Sequence, residues 1–562
     1  MSTRYALGID YGTNTVRALV ADCADGREVG SGVAPYPHGE TGVVLDPRNP
    51  DLARQHPADY LTALPDAVRA ALEAAAAADP GFAPSQIVGL GVDATGSTPM
   101  PTDEQGCALT DRSEFARHPA AMAWLWKDHT SHAEAREITA LAAEIRPQYL
   151  GRCGGVYSSE WFWAKALRCL REAPEVFEAA ATWVEISDWI PAVLTGTQAP
   201  ASMRRNLCAA GHKGLFHESW GGYPDAEFLA RLDPRLARIR ASLPDQCFSI
   251  AHTAGRLTAE WAARLGLPAG IPVAVGALDA HLGAVGSGIA PGTLVKILGT
   301  STCDIMVAPL SQDLPLIPGL CGIVPETVLP GHHGLEAGQS AVGDIFNWFV
   351  GVVRPGGGMD HGALTAEAAC VEPGASGLLA LDWHNGNRTV LVDQRLSGLL
   401  VGMSLQTTPA EIYRALIEAT AFGARVIIER LEEYGVRVDR VVNCGGISTK
   451  NRLLLQIYAD VLGRPMLVAG SQQTCALGAA IAGAVAGGAH PDFQAAVTAM
   501  TRLQPEAFEP DAGRAAVYER LFALYRRLHD AFGVRDSDGT ALDGVMKELL
   551  DIRDRVRAGQ RM

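Results

Sequence analysis

Two stretches of the chain share one pattern of hydrophobic and polar positions, and the pattern is typical of a β-hairpin. In residues 5–23 an apolar run ends at Asp10, a polar turn follows at 12–14, and strand-like residues resume at 16–20. Residues 293–307 repeat this order around a turn at 299–301. Two similar hairpins half a chain apart indicate two domains of related design, with both tight turns facing a shared cleft.

Strands and helices alternate along much of the remaining chain. The apolar run 87–92 predicts a strand, and the alanine-rich stretch 65–78 predicts a helix. Residues 271–281 predict a buried strand that carries Asp279 at its carboxyl end. This alternation predicts the α/β fold class.

The most clearly marked helix begins at Thr408. Thr408 is the predicted N-cap, Pro409 the first helical residue, and Glu411 completes a capping box, with the helix extending to about Gly435. A strand at 438–444, a glycine-rich loop at 445–451 and an amphipathic helix at 452–462 are predicted next. A strand, a tight loop and a helix in this order are typical of a nucleotide site.

The chain is long enough for more than one hydrophobic core. It has 562 residues, of which 48% are hydrophobic. The small, glycine-rich segment 286–292 is the predicted boundary between domains. We therefore expect an N-terminal domain at 1–288, a C-terminal domain at 289–540 and a helical tail at 541–562.

Charge and cysteine content restrict the partners and the location. The formal net charge is −15, which repels nucleic acid and anionic lipid, so neither is an expected partner. The eleven cysteines are scattered without a Cys-x-x-Cys motif, and the first residues resemble no signal peptide. These features predict a cytoplasmic protein in a reducing compartment.

Several of these residues have the chemistry that phosphoryl transfer needs. The turns at 12–14 and 299–301 can direct N–H groups at phosphates, with Arg17 as a nearby cation. Asp10 is placed to hold Mg²⁺, and Asp279 to accept a hydroxyl proton. Taken singly, each turn is more typical of an ordinary hairpin, and each acid could equally be a helix cap or an ion-pair partner. Their pairing at equivalent positions favours the phosphate interpretation.

Other candidate motifs are weaker. The chain has no Walker motif and no protein-kinase signature. The pairs at 129/132 and 332/333 are histidines without matching acid or cysteine spacing, so they favour capping or exposed roles over a metal site. Lys213 and Glu336 stand among small residues, and composition leaves open whether they are site residues or surface charges.

Six segments in order along the chain resemble the motifs of the FGGY carbohydrate kinases, which belong to the actin, Hsp70 and hexokinase superfamily. These segments are residues 8–19, 91–99, 125–130, 277–281, 298–301 and 445–451. The resemblance implies two ribonuclease H-like domains that flank a catalytic cleft. It further implies an ATP- and Mg²⁺-dependent kinase that phosphorylates the terminal hydroxyl of a ketopentose, with L-ribulose of L-arabinose breakdown as the favoured sugar.

The resemblance also implies roles for individual residues. The general base falls on Asp279 and the Mg²⁺-associated acid on Asp10. Nucleotide contacts fall on Gly12, Thr13, Asn14, Arg17, Gly299, Thr300, Ser301, Gly445, Gly446 and Asn451. Sugar contacts fall on Ala94, Thr95, Gly96, Trp126, Asp128, Lys213, Asp279 and Glu336.

The alternatives are a kinase for D-ribulose, xylulose or a related polyol, and an ATP-driven switch of the actin or chaperone type. His129 stands where the related glycerol and xylulose kinases carry Arg, which argues against those two sugars. The switch would hydrolyse ATP regardless of sugar, and the chain has no evident peptide-binding or filament segment. The sequence does not fix the oligomeric state, and a homodimer is the assembly we test for.

Overall fold

The computed structural model describes residues 3–534, 542–547 and 549–551, so most of the predicted tail at 541–562 lies outside the described residues. The fold is α/β, as predicted. The strands of the N-terminal half are β1 (Tyr5–Tyr11), β2 (Thr15–Asp22), β3 (Glu28–Pro35), β4 (Val44–Asp46), β5 (Asn49–Gln55), β6 (Ile87–Ala94), β7 (Pro99–Thr102), β8 (Ala123–Trp124), β9 (Thr182–Glu185), β10 (Thr253–Arg256), β11 (Pro272–Ala274) and β12 (Ala277–Leu278). Those of the C-terminal half are β13 (Thr293–Leu298), β14 (Thr302–Pro309), β15 (Gly322–Pro325), β16 (His332–Ala337), β17 (Leu379–Leu381), β18 (Leu399–Val401), β19 (Arg440–Cys444), β20 (Met466–Ala469) and β21 (Leu503–Phe508).

The helices cover the sheets and connect their strands. In the N-terminal half they are α1 (Pro57–Ala78), α2 (His132–Ile145), α3 (Pro147–Gly151), α4 (Phe162–Glu172), α5 (Pro174–Ala179), α6 (Ile186–Thr195), α7 (Leu207–Lys213), α8 (Ala226–Leu232), α9 (Leu236–Ser242), α10 (Ala259–Leu265) and α11 (Asp279–Gly286). In the C-terminal half they are α12 (Gly343–Trp348), α13 (His361–Ala369), α14 (Pro409–Glu433), α15 (Arg452–Leu462), α16 (Thr474–Ala486), α17 (Phe493–Met500) and α18 (Ala512–Gly533).

Each half is organised around one large sheet, and the two sheets are built alike. The first has the order β10-β11-β6-β1-β2-β3, with β12 also paired to β6, and the second has the order β15-β16-β14-β13-β19-β20-β21. In both, a hairpin (β1–β2 or β13–β14) pairs through its first strand with a parallel neighbour, β6 or β19. The two predicted hairpins are thus confirmed, and each turn lies at the same edge of its sheet.

The predicted capping box at the start of α14 is present. The Thr408 hydroxyl accepts the N–H of Glu411 at 3.3 Å, and the Glu411 carboxylate accepts the N–H of Thr408 at 2.7 Å. The loop at 445–451 and the helix α15 also lie where the pattern places them. Local side-chain chemistry was enough to fix these boundaries.

Two local predictions were wrong. Helix α1 begins at Pro57, whereas the predicted start, Pro65, lies inside the helix. The ring of Pro65 leaves the Leu61 carbonyl without its helical donor, and the side chain of Arg264 donates to that carbonyl at 3.2 Å instead. Residues 271–281 form the two short strands β11 and β12, and Asp279 begins α11 rather than ending a strand.

Helices α11 and α16 join the two halves at very short range. Helix α16 lies between β20 and β21 of the second sheet in sequence, yet it packs against α11 and on β1 and β6 of the first. A Cβ on Gly478 would overlap the carbonyl oxygen of Leu282, and a Cβ on Gly8 would overlap that of Ala476. The backbone contact between the halves therefore depends on residues without side chains.

We predict that Gly478→Ala lowers the free energy of unfolding by about 2–3 kcal/mol, because the added methyl group forces the two helices apart. Urea unfolding of the whole chain measures this. Gly351→Ala is the matched control, since a Cβ at Gly351 meets nothing within 4 Å. Equal stability of the two variants would show that the contact between α11 and α16 tolerates separation.

Candidate active site

A polar cavity of about 200 Å³ lies between the two halves. Its wall combines the turns of both hairpins with side chains from the helices and loops around them. Nine of the predicted site residues line it, namely Thr13, Gly96, Trp126, Lys213, Asp279, Gly299, Thr300, Ser301 and Glu336. Residues that lie far apart in the sequence are therefore brought to the wall of one cavity.

Three carboxylates gather where strands of the first sheet end. Asp10 on β1 is paired in register with Asp93 on β6, and Ala277 of β12 pairs with the same Asp93, so Asp279 follows two residues later. Asp93 is completely buried, and neither of its carboxylate oxygens has a hydrogen-bond partner among the described residues. Burial raises the pKa of Asp93 well above its usual range, and the neighbouring Asp10 and Asp279 raise it further.

Asp10 has one cationic partner. The guanidinium of Arg17 lies 3.2 Å from its carboxylate, and both residues extend from the predicted hairpin. Burial nevertheless holds the pKa of Asp10 above its usual value, because it outweighs the opposing charge of Arg17. Asp10 therefore places a buried carboxylate beside the turn at 12–14.

Asp279 has the properties of a general base. Its carboxylate accepts the N–H of Ala280 at 2.7 Å, which fixes the side chain at the start of α11. Burial raises its pKa to about 7, with a further contribution from the negative charge of Asp10. A carboxylate with a pKa near neutrality can take up a proton during a reaction and release it afterwards.

Asp10 and Asp93 form a donor set that fits Mg²⁺. Hard divalent cations prefer carboxylate oxygens, and Asp93 offers two buried oxygens that no described group satisfies. The sequence analysis missed Asp93, although it lies in one of the quoted motifs. The available signal was an acid at the end of the parallel strand next to the one that carries Asp10.

Lys213 and Glu336 form a buried ion pair across the two halves. The ammonium group lies 2.7 Å and 2.9 Å from the two carboxylate oxygens. Burial alone would raise the pKa of Glu336, but Lys213 outweighs it and holds that pKa well below the usual range. Both charges therefore persist inside the cavity, where each can bind a hydroxyl group.

Two histidines lie close to the Glu336 carboxylate of this ion pair. His212 Nδ1 lies 3.4 Å and His281 Nε2 lies 3.7 Å from the Glu336 carboxylate. Burial lowers the pKa of His281 to about 4 and that of His212 well below its usual value, so both rings are neutral at physiological pH. Neutral imidazoles can orient the carboxylate without competing with the charge of Lys213.

The turn at 94–98 is held by two buried charged side chains that the sequence analysis did not identify. Glu185 accepts the N–H of Thr98 at 2.7 Å and also the hydroxyl of Ser97. The ammonium group of Lys165 donates to the carbonyls of Ser97 and Leu125 at 2.9 Å, and to that of Trp124 at 3.2 Å. This anchors Gly96 and Trp126 in the same wall of the cavity.

The turn at 12–14 is also held in place from both sides. The indole N–H of Trp126 donates to the Thr13 hydroxyl at 3.1 Å. The amide of Gln55 donates to the Thr13 carbonyl at 2.8 Å, and the side chain of Asn14 donates to Thr41. A turn fixed in this way presents its N–H groups in a preorganised arrangement.

The remaining predicted residues lie outside the cavity wall. Asp128 is buried, accepts the N–H of Ala53 at 2.7 Å and pairs with Arg54, so its carboxylate holds a neighbouring loop. Asn451 caps α15 by accepting the N–H of Leu454 at 3.0 Å. The others outside the wall are Asp10, Gly12, Asn14, Arg17, Ala94, Thr95, Gly445 and Gly446.

Two charged residues in the wall were not predicted as site residues. Glu160 comes from the segment before α4, and Arg388 comes from the loop between β17 and β18. Neither lies in a motif quoted for the resemblance. A lone acid and a lone arginine in loops gave no periodicity or spacing that could have identified them.

Comparisons with known proteins cover almost the whole chain. Residues 5–286 match the N-terminal domain and residues 294–487 the C-terminal domain of the FGGY family of carbohydrate kinases. A ribulokinase of Geobacillus thermodenitrificans is 42% identical, with 100% of this chain and 99% of that protein covered. A ribulokinase of Mycolicibacterium smegmatis is 43% identical over 99% of both chains.

Solved structures share the fold. The xylulose kinase of Rhodospirillum rubrum is similar with a TM-score of 0.76 and 27% identity, covering 94% of this chain and 99% of that one. Plasmodium falciparum glycerol kinase with ADP is similar with a TM-score of 0.74 at 16% identity, covering 95% and 99%. At that identity the second similarity concerns the fold alone.

We predict that the pKa of Asp279 is about 7 in the native chain and falls in the Asp10→Asn variant, because a neighbouring negative charge is removed. Carboxyl-carbon NMR titration of aspartate-labelled protein measures both values, with Asp279→Asn used to assign the signal. Asp66→Asn, at an exposed position on α1, serves as the control and leaves the titration unchanged. If the pKa of Asp279 does not change in Asp10→Asn, the charge of Asp10 does not influence the Asp279 carboxyl group.

Proposed function

Because the chain belongs to the FGGY family of carbohydrate kinases, we propose that it transfers the γ-phosphoryl group of ATP to the terminal hydroxyl of L-ribulose. The product is L-ribulose 5-phosphate. The observation that carries this proposal is the position of Asp279, a half-buried carboxylate that lines the same cavity as the turn at 299–301. Full-length similarity to ribulokinases supports the choice of sugar.

The two hairpin turns would hold the phosphates of ATP. Gly12 and Gly299 each begin a turn that is closed by a backbone hydrogen bond of 3.0 Å, to Thr15 and to Ser301. Such turns can direct backbone N–H groups and the hydroxyls of Thr13, Thr300 and Ser301 at phosphate oxygens. Preorganised donors of this kind stabilise the charge that develops as the phosphoryl group moves.

The adenosine would lie further out, beside the loop at 445–451. Gly445 adopts a φ of 89°, which favours glycine, and a Cβ at Gly446 would meet nothing within 4 Å. The open space at Gly446 leaves the backbone there accessible to a flat ring. Asn451 then contributes by capping α15 and fixing the end of this loop.

Asp279 would remove the proton from the attacking hydroxyl. Its carboxylate is oriented by the N–H of Ala280, and its pKa of about 7 leaves a large ionised fraction at neutral pH. Asp10 and Asp93 would hold Mg²⁺, which neutralises phosphate charge when bound. A sugar bound in this cavity would displace water from the reacting phosphoryl group, so that its hydroxyl could compete with water for that group.

Lys213 and Glu336 would position the sugar. An ammonium group and a carboxylate offer a donor and an acceptor to neighbouring hydroxyls, and both are buried. A sugar whose hydroxyls miss these groups leaves them unsatisfied and binds less well. The turn at 94–98, held by Lys165 and Glu185, completes the same wall.

Location and assembly remain predictions. None of the helices in the described part of the chain combines the length and the apolarity that a bilayer crossing requires. We propose that the protein acts on small molecules in the cytoplasm, and that two copies associate. Light scattering of the purified chain measures the second point directly, through a molar mass twice that of the 59.4 kDa chain.

We predict that ADP release by the purified chain depends on added L-ribulose. A coupled assay with L-ribulose, D-ribulose, D-xylulose, glycerol and ribitol gives kcat/KM for each, because discrimination is a difference in transition-state binding. The highest value is expected for L-ribulose. A higher kcat/KM for xylulose would identify xylulose as the substrate instead of L-ribulose. Hydrolysis of ATP that does not depend on any sugar would support an ATP-driven switch.

We predict that Asp279→Asn lowers kcat by about 10²–10⁴-fold, because the proton acceptor is removed while the shape of the side chain is kept. Binding of ATP and sugar, measured by calorimetry, should stay close to that of the native chain. Asp46→Asn, at a surface turn, is the control and leaves kcat unchanged. An Asp279→Asn variant that retains most of its turnover would assign the base to another group.

We predict that kcat/KM falls about tenfold per pH unit on the acid side of the Asp279 pKa, since the raised pKa leaves this carboxyl protonated below about pH 7. Activity should therefore reach a plateau above neutrality. Steady-state kinetics across pH 5–9 with saturating nucleotide provide the measurement. A flat profile through pH 6 would mean that no group with this pKa takes part in turnover.

A further inference from the structure

Glu160 and Arg388 face each other across the two halves, within reach of the proposed sugar. Arg388 Nη2 lies 3.6 Å from Glu160 Oε1, and each side chain is 18% exposed. Both residues line the cavity that contains Asp279, and both also line an adjoining cavity of about 690 Å³. They therefore stand at the junction between the enclosed site and a wider space.

Their polar atoms are not used by the protein itself. Among the described residues, neither the guanidinium of Arg388 nor the carboxylate of Glu160 makes a side-chain hydrogen bond, and 3.6 Å is beyond hydrogen-bond range. The backbone N–H of Glu160 is bound to the Ser158 hydroxyl, which fixes the residue but leaves its carboxylate free. Apart from the ion pair with Glu160, the five guanidinium donors are therefore available to a ligand that accepts from them.

Both groups remain charged in this position. Burial lowers the pKa of Arg388, but the Glu160 carboxylate outweighs that effect and holds the pKa above its usual range. Burial likewise raises the pKa of Glu160, yet Arg388 reverses the shift and keeps it below the usual value. The junction therefore presents one permanent cation and one permanent anion.

The linings of the two cavities give the order of groups. Asp279 lines only the cavity of about 200 Å³, whereas Lys213, Glu336, Glu160 and Arg388 line both that cavity and the adjoining one of about 690 Å³. These four charged side chains therefore lie on the side of the site that opens to the wider space, and Asp279 lies away from it. A sugar with its terminal hydroxyl at Asp279 extends its opposite end towards Arg388 and Glu160.

The chemistry of the proposed sugar says what that end offers. A ketopentose can close into a five-membered ring only through its C5 oxygen, which is the atom to be phosphorylated. The reacting sugar must therefore be the open chain, with a free C2 carbonyl and a C1 hydroxyl. A carbonyl oxygen accepts from a guanidinium, and a hydroxyl donates to a carboxylate.

We propose that Arg388 and Glu160 recognise the carbonyl end of the open-chain ketose, Arg388 by donating to the C2 carbonyl oxygen and Glu160 by accepting from the C1 hydroxyl. This inference rests on the proposed function and adds the groups that distinguish a ketose from its polyol. Because Glu160 and Lys213 belong to one half and Arg388 and Glu336 to the other, a bound sugar also ties the two halves together.

The test is the discrimination between L-ribulose and ribitol, a polyol with a hydroxyl in place of the carbonyl. In Arg388→Met we expect kcat/KM for L-ribulose to fall by about tenfold or more, mainly through KM, because a charged hydrogen bond is lost. The KM for ATP should stay within about twofold of the native value, because the substitution affects only the binding of the sugar. The preference for L-ribulose over ribitol should shrink by a similar factor.

Companion variants separate recognition from folding. Arg388→Lys keeps the charge but loses the planar fork, so its preference should lie between those of the native chain and Arg388→Met. Glu160→Gln should weaken the binding of L-ribulose more than the binding of 1-deoxyribulose, because 1-deoxyribulose has no C1 hydroxyl. Arg437→Met, at a surface position 83% exposed, is the matched control and should keep the native preference.

The outcomes separate this inference from the function on which it rests. A native chain without ribulose-dependent ADP release overturns the proposed function and this inference together. An active native chain whose variants keep the native preference for L-ribulose over ribitol overturns the inference alone. If Arg388→Met does not fold, the sugar preference of Arg388→Lys decides in the same way.

Discussion

The structure depends on holding three carboxylates close together at one edge of a sheet. Asp10, Asp93 and Asp279 converge because neighbouring strands of one sheet end side by side, and the register of β1, β6 and β12 leaves no freedom in their spacing. Burial raises the pKa of all three carboxyl groups, and the negative charges of neighbouring acids raise those of Asp93 and Asp279 further. The arrangement is costly for an unliganded protein and is suited to one that binds a cation and moves a proton.

Two ion pairs connect the two halves of the chain. Lys213 with Glu336, and Arg388 with Glu160, place one member of each pair on each side of the cleft, with the signs reversed between the pairs. The first pair is closely hydrogen-bonded, and the second is held apart at 3.6 Å. A sugar that inserts between these groups gains contacts with both halves at once, so that sugar binding and closure of the cleft become one event.

The sequence predicted well wherever a local signal decides the structure. The two hairpins, the capping box at Thr408 and the helix α15 follow from apolar periodicity, turn residues and caps. The start of α1 did not, because a hydrogen bond from Arg264, distant in sequence, compensates for Pro65 within the helix. The contact of α16 with the first sheet likewise depends on long-range packing that no local pattern encodes.

The site was predictable to the extent that its residues lie in motifs. Asp279, Lys213 and Glu336 could be named from the family resemblance, and the structure brings all three to one cavity. Arg388 and Glu160 could not, because isolated charged residues in loops gain meaning only from what faces them. Asp128, a predicted sugar contact, lies outside the cavity wall, and its carboxylate contacts Arg54 and a backbone N–H.

The central claim is that Asp279 takes the proton of the attacking hydroxyl. A crystal structure of the chain with L-ribulose and a non-hydrolysable ATP analogue tests it most directly. The account predicts a carboxylate oxygen of Asp279 within about 3 Å of the C5 hydroxyl, in line with the terminal phosphate. A C5 hydroxyl that instead contacts a different basic group, with Asp279 beyond the reach of a hydrogen bond or a bridging water, would contradict it.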